Sequence, residues 1–250
     1  MFKKIEINQS GVSVVRSDGR ATDQLREIDV KIDEFGFADG SVLLSFGKTK
    51  VLCSISLSEG VPPFLKGKGT GWLTAEYAML PCSTNKRSIR ESSLASKNSR
   101  SVEISRLIGR SLRTVCDLNL IGERTINIDC DVLQADGGTR VCAISGSCLA
   151  LEIAQRKWLD RRILKKPILK ERIAGVSVIV SEDFVLLDPS QSEDSDSSAD
   201  FNFILTESGK IIEIQGTSEK TPLDWDKFDG MCSLAIAGTE NILKFFQNWL

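Results

Sequence analysis

Histidine is absent from the whole chain of 250 residues. This absence excludes Ser–His–Asp and Cys–His nucleophilic catalysis, and it excludes metal centres that depend on histidine ligands. Any chemistry must therefore use carboxylates, arginine or lysine, hydroxyl groups, a hard metal ion, or a nucleophile that the substrate itself supplies.

Several other features are also missing. The seven cysteines include no C-x-x-C pair, so we interpret them as reduced core thiols rather than as a disulfide framework or a zinc site. No segment approaches the roughly 20 apolar residues of a membrane helix, and residues 1–15 lack the apolar run of a signal peptide. The net charge of −2 gives no overall attraction for nucleic acid. We expect a soluble, cytoplasmic protein.

The most informative stretch is A-D-G-G-T-R at 135–140, between a strand-like segment and a helical pattern that begins at Val141. Two glycines let the backbone turn sharply and approach a ligand closely. The amides that open a helix attract anions, and an adjacent arginine adds donors that match phosphate oxygens. These residues alone fit an anion site at the helix N-terminus, and they fit a plain strand–turn–helix connection equally well.

The periodicity of apolar residues predicts two halves of similar build, of fold class α+β or α/β. We assign residues 1–15 to an N-terminal extension, 16–160 to a first half and 161–250 to a second half. Alternation predicts strands at 28–35, 41–46, 49–57, 72–80, 125–133, 173–180, 184–187, 201–206 and 210–215, and helical spacing predicts helices at 99–118, 141–158 and 224–249.

Positive charge is concentrated between Lys66 and Arg113, where ten basic residues face only three acidic ones, an excess of seven. The loop K-R-S-I-R at 86–90 is free to contact phosphates, whereas the arginines at 106, 110 and 113 are typical of a solvated helix face. The charged cluster at 16–26 also has the composition of a solvated surface, with an interface role as the alternative.

Negative charge is concentrated in D-P-S-Q-S-E-D-S-D-S-S-A-D at 188–200, which holds five acids and no base. Such a run is typical of a flexible surface loop. Predicted strands enter and leave it, however, and carboxylates fixed at this density are also what a magnesium site uses.

These segments together resemble the ribonuclease PH family of phosphorolytic tRNA 3′ exonucleases. The similarity runs from about Arg16 to the C-terminus, and it includes D-G-R at 18–20, V-P-P-F-L-K-G at 61–67, G-W-L-T-A-E-Y-A-M-L-P at 71–81, I-D-C-D-V-L-Q-A-D-G-G-T-R at 128–140 and E-I-Q-G-T at 213–217. The resemblance implies an α+β fold of two related halves and a homohexameric ring built as a trimer of dimers. It implies that inorganic phosphate, a co-substrate, attacks the last internucleotide bond of tRNA precursors and other RNA 3′ ends, releasing nucleoside diphosphates.

The resemblance also implies roles for individual residues. Phosphate binding is expected at Arg100, Gly138, Thr139 and Arg140, RNA binding at Arg87 and Arg90, and catalysis, with Mg²⁺ binding, at Asp188 and Asp194. Whether the two aspartates act through the metal or by proton transfer stays open. The chain departs from the family at Cys82, where arginine is usual, at Asn98 before Arg100, and at 189–191. The alternative is a non-catalytic RNA-binding ring subunit of the same fold. A duplicated enzyme such as polynucleotide phosphorylase would not fit within 250 residues.

Overall fold

The computed structural model describes residues 4–8, 11–33, 35–93 and 98–249, with the backbone alone for 4–8 and 11–15. The strands are β1 Lys4–Asn8, β2 Gly11–Val15, β3 Ile28–Ile32, β4 Gly40–Phe46, β5 Thr49–Glu59, β6 Trp72–Met79, β7 Arg124–Gln134, β8 Ile173–Ser181, β9 Phe184–Leu187, β10 Ala199–Thr206 and β11 Ile211–Ser218. The helices are α1 Ser99–Val115, α2 Thr139–Asp160, α3 Gln191–Asp196 and α4 Trp225–Gln247.

A five-stranded sheet and a four-stranded sheet form the framework of the fold. The first has the strand order β3-β4-β5-β7-β6, and only its β6–β7 pair is parallel. The second is antiparallel, with the order β11-β10-β8-β9. Because β6 and β7 run in the same direction, both strands end at the same edge of the sheet, which brings the loop after each strand to one place.

Helix α2 lies between the two sheets and is buried on nearly every side. A Cβ on Gly175 of β8 would lie 3.1 Å from Val141 of α2, whereas the next residue, Val176, faces Gly238 of α4. Since successive residues of a strand point to opposite faces, β8 is covered by α2 on one face and by α4 on the other. The molecule is therefore layered as sheet, helix, sheet and helix, with one apolar core through both halves.

The α+β class predicted from the sequence is confirmed, and α1, α2 and α4 lie within a few residues of their predicted bounds. Helix α3 was not predicted, because the acidic run was read as a loop. The N-terminal extension forms a hairpin of β1 and β2. No helix in the described part of the chain is long and apolar enough to cross a membrane.

Candidate active site

The turn at 135–138 is held from behind by buried side chains. Thr49 Oγ1 donates a hydrogen bond to the Gly137 carbonyl at 2.7 Å, and the Arg26 guanidinium donates to the Asp136 carbonyl at 2.5 Å. Gly137 has φ +82°, and a Cβ there would lie 2.5 Å from the Pro189 carbonyl oxygen. Both the positive φ and the close approach therefore require glycine at this position.

Helix α2 begins directly after this turn. Gly138, in the left-handed region at φ +66°, is the N-cap residue, and no side chain caps the helix. The first amides of α2 are thus free to bind an anion. Thr139 is buried and its Oγ1 accepts a hydrogen bond from the Tyr77 hydroxyl at 2.8 Å.

Arg140 points from the first turn of α2 toward the second sheet. Its Nη1 donates to Gln215 Oε1 at 3.0 Å and lies 3.3 Å from the carboxylate of Glu103. Gln215 Nε2 in turn donates to Glu213 at 2.8 Å, and Glu213 forms an ion pair with Arg110 of α1. Residues of two other elements, α1 and β11, therefore orient the Arg140 side chain.

Arg100 lies in the first turn of α1, which Asn98 caps by accepting a hydrogen bond from the Arg100 amide at 2.9 Å. The guanidinium is exposed and pairs with no carboxylate among the described residues. Burial raises the pKa values of Tyr77 and Asp194. The positive charges of Arg100 and Arg140 oppose this shift at both groups but do not cancel it. Both arginines thus act electrostatically on the same two groups.

Helix α3 presents Asp194 to this site and is held by a buried ion pair. Glu193 closes a capping box with Ser190, and its two oxygens accept from Nε and Nη2 of Arg16 at 2.7 and 2.6 Å. Although burial raises the pKa of Glu193, the hydrogen bonds and charge of Arg16 and the bonds from Ser190 lower it to about 2. The residue before Asp194 is therefore fixed in place.

A second carboxylate beside Asp194 belongs to Asp200 of β10, a residue that sequence reasoning missed. Burial and the neighbouring charge of Asp194 raise the pKa of Asp200 to about 6, against the opposing charge of Arg140. Asn202, two positions along the strand, is on the same face and accepts from Ser177 at 2.7 Å. The alternation in D-F-N at 200–202 is the signal that could have revealed this face.

Asp188 lies in a different environment. It is 3% exposed and adopts φ +50°. Its Oδ2 accepts from the Arg26 amide at 2.8 Å and from Arg26 Nε at 3.0 Å, while its Oδ1 accepts from Arg26 Nη2 at 2.7 Å. Both oxygens are thus engaged by one arginine, which also grips the turn before α2. This geometry differs from the metal-binding pair of Asp188 and Asp194 that we expected.

The expectation that the cluster at 16–26 is solvated is wrong, because Arg16, Arg20 and Arg26 are all more than nine-tenths buried. Arg16 and Arg20 each donate to the backbone carbonyl of Asp188 at 3.0 Å. These arginines tie the beginning of the first half to the acidic run of the second half.

The basic side chains of α1 and the preceding loop fall into two groups. Arg87 and Arg90 are exposed on the loop that follows β6, and they pair with no carboxylate in the described ranges. Arg110 and Arg113 are not simply solvated, since Arg110 pairs with Glu213 and Arg113 stacks over Trp72 while donating to the Leu73 carbonyl at 2.9 Å.

Known proteins share both the fold and the sequence. The chain is 48% identical over 231 residues to ribonuclease PH of Neisseria meningitidis serogroup B, covering 92% of this chain and 96% of the relative. It is 46% identical to ribonuclease PH of Bacillus velezensis, covering 92% and 94%. The fold resembles rice (Oryza sativa) Rrp46, with TM-score 0.74, 18% identity and coverage of 93% and 98%. It also resembles the Archaeoglobus fulgidus exosome with RNA bound to the active site, with TM-score 0.78, 18% identity and 92% coverage of both chains.

Two descriptions of the 3′ exoribonuclease family match most of the chain, domain 1 over residues 24–157 and domain 2 over residues 171–238. The second match contains helix α3, and the first contains the turn at 135–138. The chain therefore belongs to the ribonuclease PH family of 3′ exoribonucleases.

Proposed function

We propose that this protein trims the 3′ ends of tRNA precursors. It is a phosphorolytic 3′ exoribonuclease, a nucleotidyltransferase that uses inorganic phosphate to release nucleoside 5′-diphosphates. The observation that supports this role most directly is the uncapped N-terminus of α2, with Arg140 in its first turn and the positive charges of Arg100 and Arg140 both acting on Asp194.

The nucleophile is inorganic phosphate, bound by the free amides of α2, the hydroxyl of Thr139 and the guanidinium groups of Arg100 and Arg140. Phosphate is already an anion near neutral pH, so a chain without histidine needs no side-chain base to prepare it. The protein instead holds two mutually repelling anions, the free phosphate and the scissile phosphodiester, in line for transfer.

Arg140 changes partners when phosphate binds. In the free protein its guanidinium is occupied by Gln215 and by the half-exposed carboxylate of Glu103. The neutral amide can stay, whereas the negatively charged Glu103 competes with phosphate for the same donor. Arg140 therefore exchanges its contact with Glu103 for a charge-assisted contact with phosphate in the complex.

Asp194 and Asp200 are the residues that would hold Mg²⁺. Two half-buried carboxylates with raised pKa values repel one another, and a divalent cation relieves this repulsion. Mg²⁺ commonly uses one or two carboxylates together with waters and substrate phosphates, and no larger cluster of ligand-type side chains exists among the described residues. The ion would stabilise charge on the leaving 3′-oxygen.

Asp188 does not fit a metal site, because both of its oxygens already bind the positively charged Arg26. We therefore revise its role from catalysis to positioning of the acidic helix and the phosphate turn.

RNA would approach over the loop that carries Arg87 and Arg90. This loop begins where β6 ends, two residues after Tyr77, and so borders the phosphate site. A homohexameric ring, a trimer of dimers, is the assembly that the resemblance implies. The cytoplasm, where tRNA is processed, suits a chain whose seven cysteines are all unpaired.

The test is a trimming assay on a tRNA with a 3′ extension, with and without phosphate. We expect shortening only when phosphate is present, and loss of that shortening in Arg140→Ala with the fold intact. A protein that shortens tRNA equally well without phosphate, or an Arg140→Ala variant with unchanged activity, contradicts the proposal.

A further inference from the structure

The chain contains a single tyrosine, and it lies beneath the phosphate turn. Tyr77 points inward from β6, and its side chain is buried together with its hydroxyl partner, Thr139. The Tyr77 hydroxyl donates to Thr139 Oγ1 at 2.8 Å, although the two residues are 62 positions apart in the chain. Neither the trimming activity nor the resemblance assigns this tyrosine a role.

The topology explains why the two hydroxyls meet. Tyr77 pairs with Cys130 in the parallel register of β6 and β7. After β7 ends, the chain reverses through Gly137 and Gly138, both at positive φ, and Thr139 opens α2. This reversal places the threonine over the neighbouring strand β6, close to Tyr77 near the end of that strand.

The hydrogen bond from Tyr77 to Thr139 restricts the direction of the Thr139 hydroxyl proton. A hydroxyl has one proton to donate and two lone pairs that accept. Because Thr139 Oγ1 accepts from Tyr77, its own proton is directed away from the phenol, and no acceptor for it occurs within the described ranges. The positive charges of Arg100 and Arg140 act on Tyr77, and Arg140 follows Thr139 directly in the first turn of α2.

We propose that Tyr77 is a positioning residue that fixes the Thr139 hydroxyl as a donor to bound inorganic phosphate. The inference rests on the proposed phosphate site at Gly138, Thr139 and Arg140, and it adds the group that sets the direction of one of its donors. Without the phenol, the threonine hydroxyl can rotate, and it loses part of its preorganisation before phosphate arrives.

Binding of inorganic phosphate to the RNA-free protein tests this proposal by calorimetry. We expect Tyr77→Phe to raise the Kd for phosphate about three- to tenfold, and Thr139→Val to raise it about ten- to a hundredfold, because a bond to a charged acceptor is lost. Thr139→Ser should bind nearly as the wild type does. In the Thr139→Val background, Tyr77→Phe should have no further effect, because the tyrosine acts only through the threonine.

Two controls separate positioning from a general loss of packing. Thr239→Val removes another buried threonine hydroxyl, on the far side of the second sheet in α4, and should leave phosphate binding unchanged. In steady-state assays, Tyr77→Phe should raise the KM for phosphate and leave the KM for RNA unchanged. Tyrosine labelled with carbon-13 at Cζ gives one signal in this chain, and phosphate should shift it in the wild type but not in Thr139→Val.

The outcomes distinguish this inference from the function on which it rests. A wild-type protein that binds no phosphate contradicts the proposed function and the inference together. Normal phosphate binding by the wild type with an unchanged Kd in Tyr77→Phe contradicts the inference alone. An additive loss in the double variant also contradicts it, because the phenol would then contact phosphate directly.

Discussion

At the level of single residues, Asp188 and Asp194 of the acidic run have different surroundings. Asp188 neutralises the buried guanidinium of Arg26, which also grips the turn before α2. Asp194 faces Asp200 and the two arginines of the proposed phosphate site. We therefore propose that the first carboxylate stabilises the fold around the site and that the second takes part in the chemistry within it.

Substitution of each aspartate by asparagine separates these roles. Asp188→Asn leaves Arg26 without its counter-charge in a buried position, which we expect to lower the free energy of unfolding by about 3–5 kcal/mol. Asp194→Asn should leave thermal stability unchanged or higher, and reduce turnover more than about a hundredfold with little change in RNA affinity. Thermal melts and phosphorolysis assays check both variants. A stable but inactive Asp188→Asn, paired with a destabilised Asp194→Asn, would reverse the assignment.

The raised pKa of Asp200 predicts a pH-dependent cost to stability. The carboxyl has a pKa of about 6 in the folded protein and 3.8 as its ordinary value, so the unfolded state ionises first as pH rises. Stability is therefore lost between about pH 4 and pH 6 and stays lower above it. We expect Asp200→Asn to stabilise the fold by about 1–3 kcal/mol near pH 8 and not below about pH 4. A denaturant titration at both pH values measures this difference, and an equal effect at the two would contradict the assigned pKa.

At the level of elements, the loop at 81–93 exposes its side chains, whereas helix α3 depends on a contact with a distant part of the chain. Arg87, Ile89 and Arg90 are exposed on the loop, so their role depends on a partner that binds the surface. Helix α3 spans only six residues, too few to form alone in water. Its stability comes from the ion pair of Glu193 with Arg16, 177 positions away in the chain.

Replacing both loop arginines tests whether this surface faces RNA. Arg87→Ala with Arg90→Ala should weaken tRNA binding for all sequences and reduce the slope of log K against log salt by about 1 to 2. Cys82→Arg should strengthen binding and steepen the slope. Lys165→Ala with Lys166→Ala is the matched control, because these exposed lysines follow the other end of α2, roughly 30 Å from its first turn. Equal slopes in all the proteins would show that the loop does not contact RNA.

Local signals explain which parts of the structure could be predicted. The glycines at 137 and 138, followed by a small-residue helix, indicated the turn, and apolar periodicity located α1, α2 and α4. The buried pairs could not be found in this way, since Arg26 and Asp188 are 162 positions apart and each alone is typical of a charged surface. Asp200 was missed for another reason, because the predicted strand begins only at Phe201 and leaves Asp200 in the acidic run before it.

At the scale of the whole molecule, the proposed site lies where the two halves meet. The phosphate turn comes from the first half, and the acids come from the second. Gly137 packs against the Pro189 carbonyl, and Arg26 holds Asp188 and Asp136 together. Because α2 also packs between both sheets in one shared core, the halves cannot shift without changing the distance between nucleophile and leaving group.

In phosphorolysis, inorganic phosphate itself becomes part of the product. The direct measurement incubates the protein with a 3′-extended tRNA and radiolabelled inorganic phosphate, and then separates the released nucleotides. We predict that the label appears in the β-phosphate of nucleoside diphosphates, at one label for each nucleotide removed. Release of unlabelled nucleoside monophosphates would show that water is the nucleophile and would contradict the account.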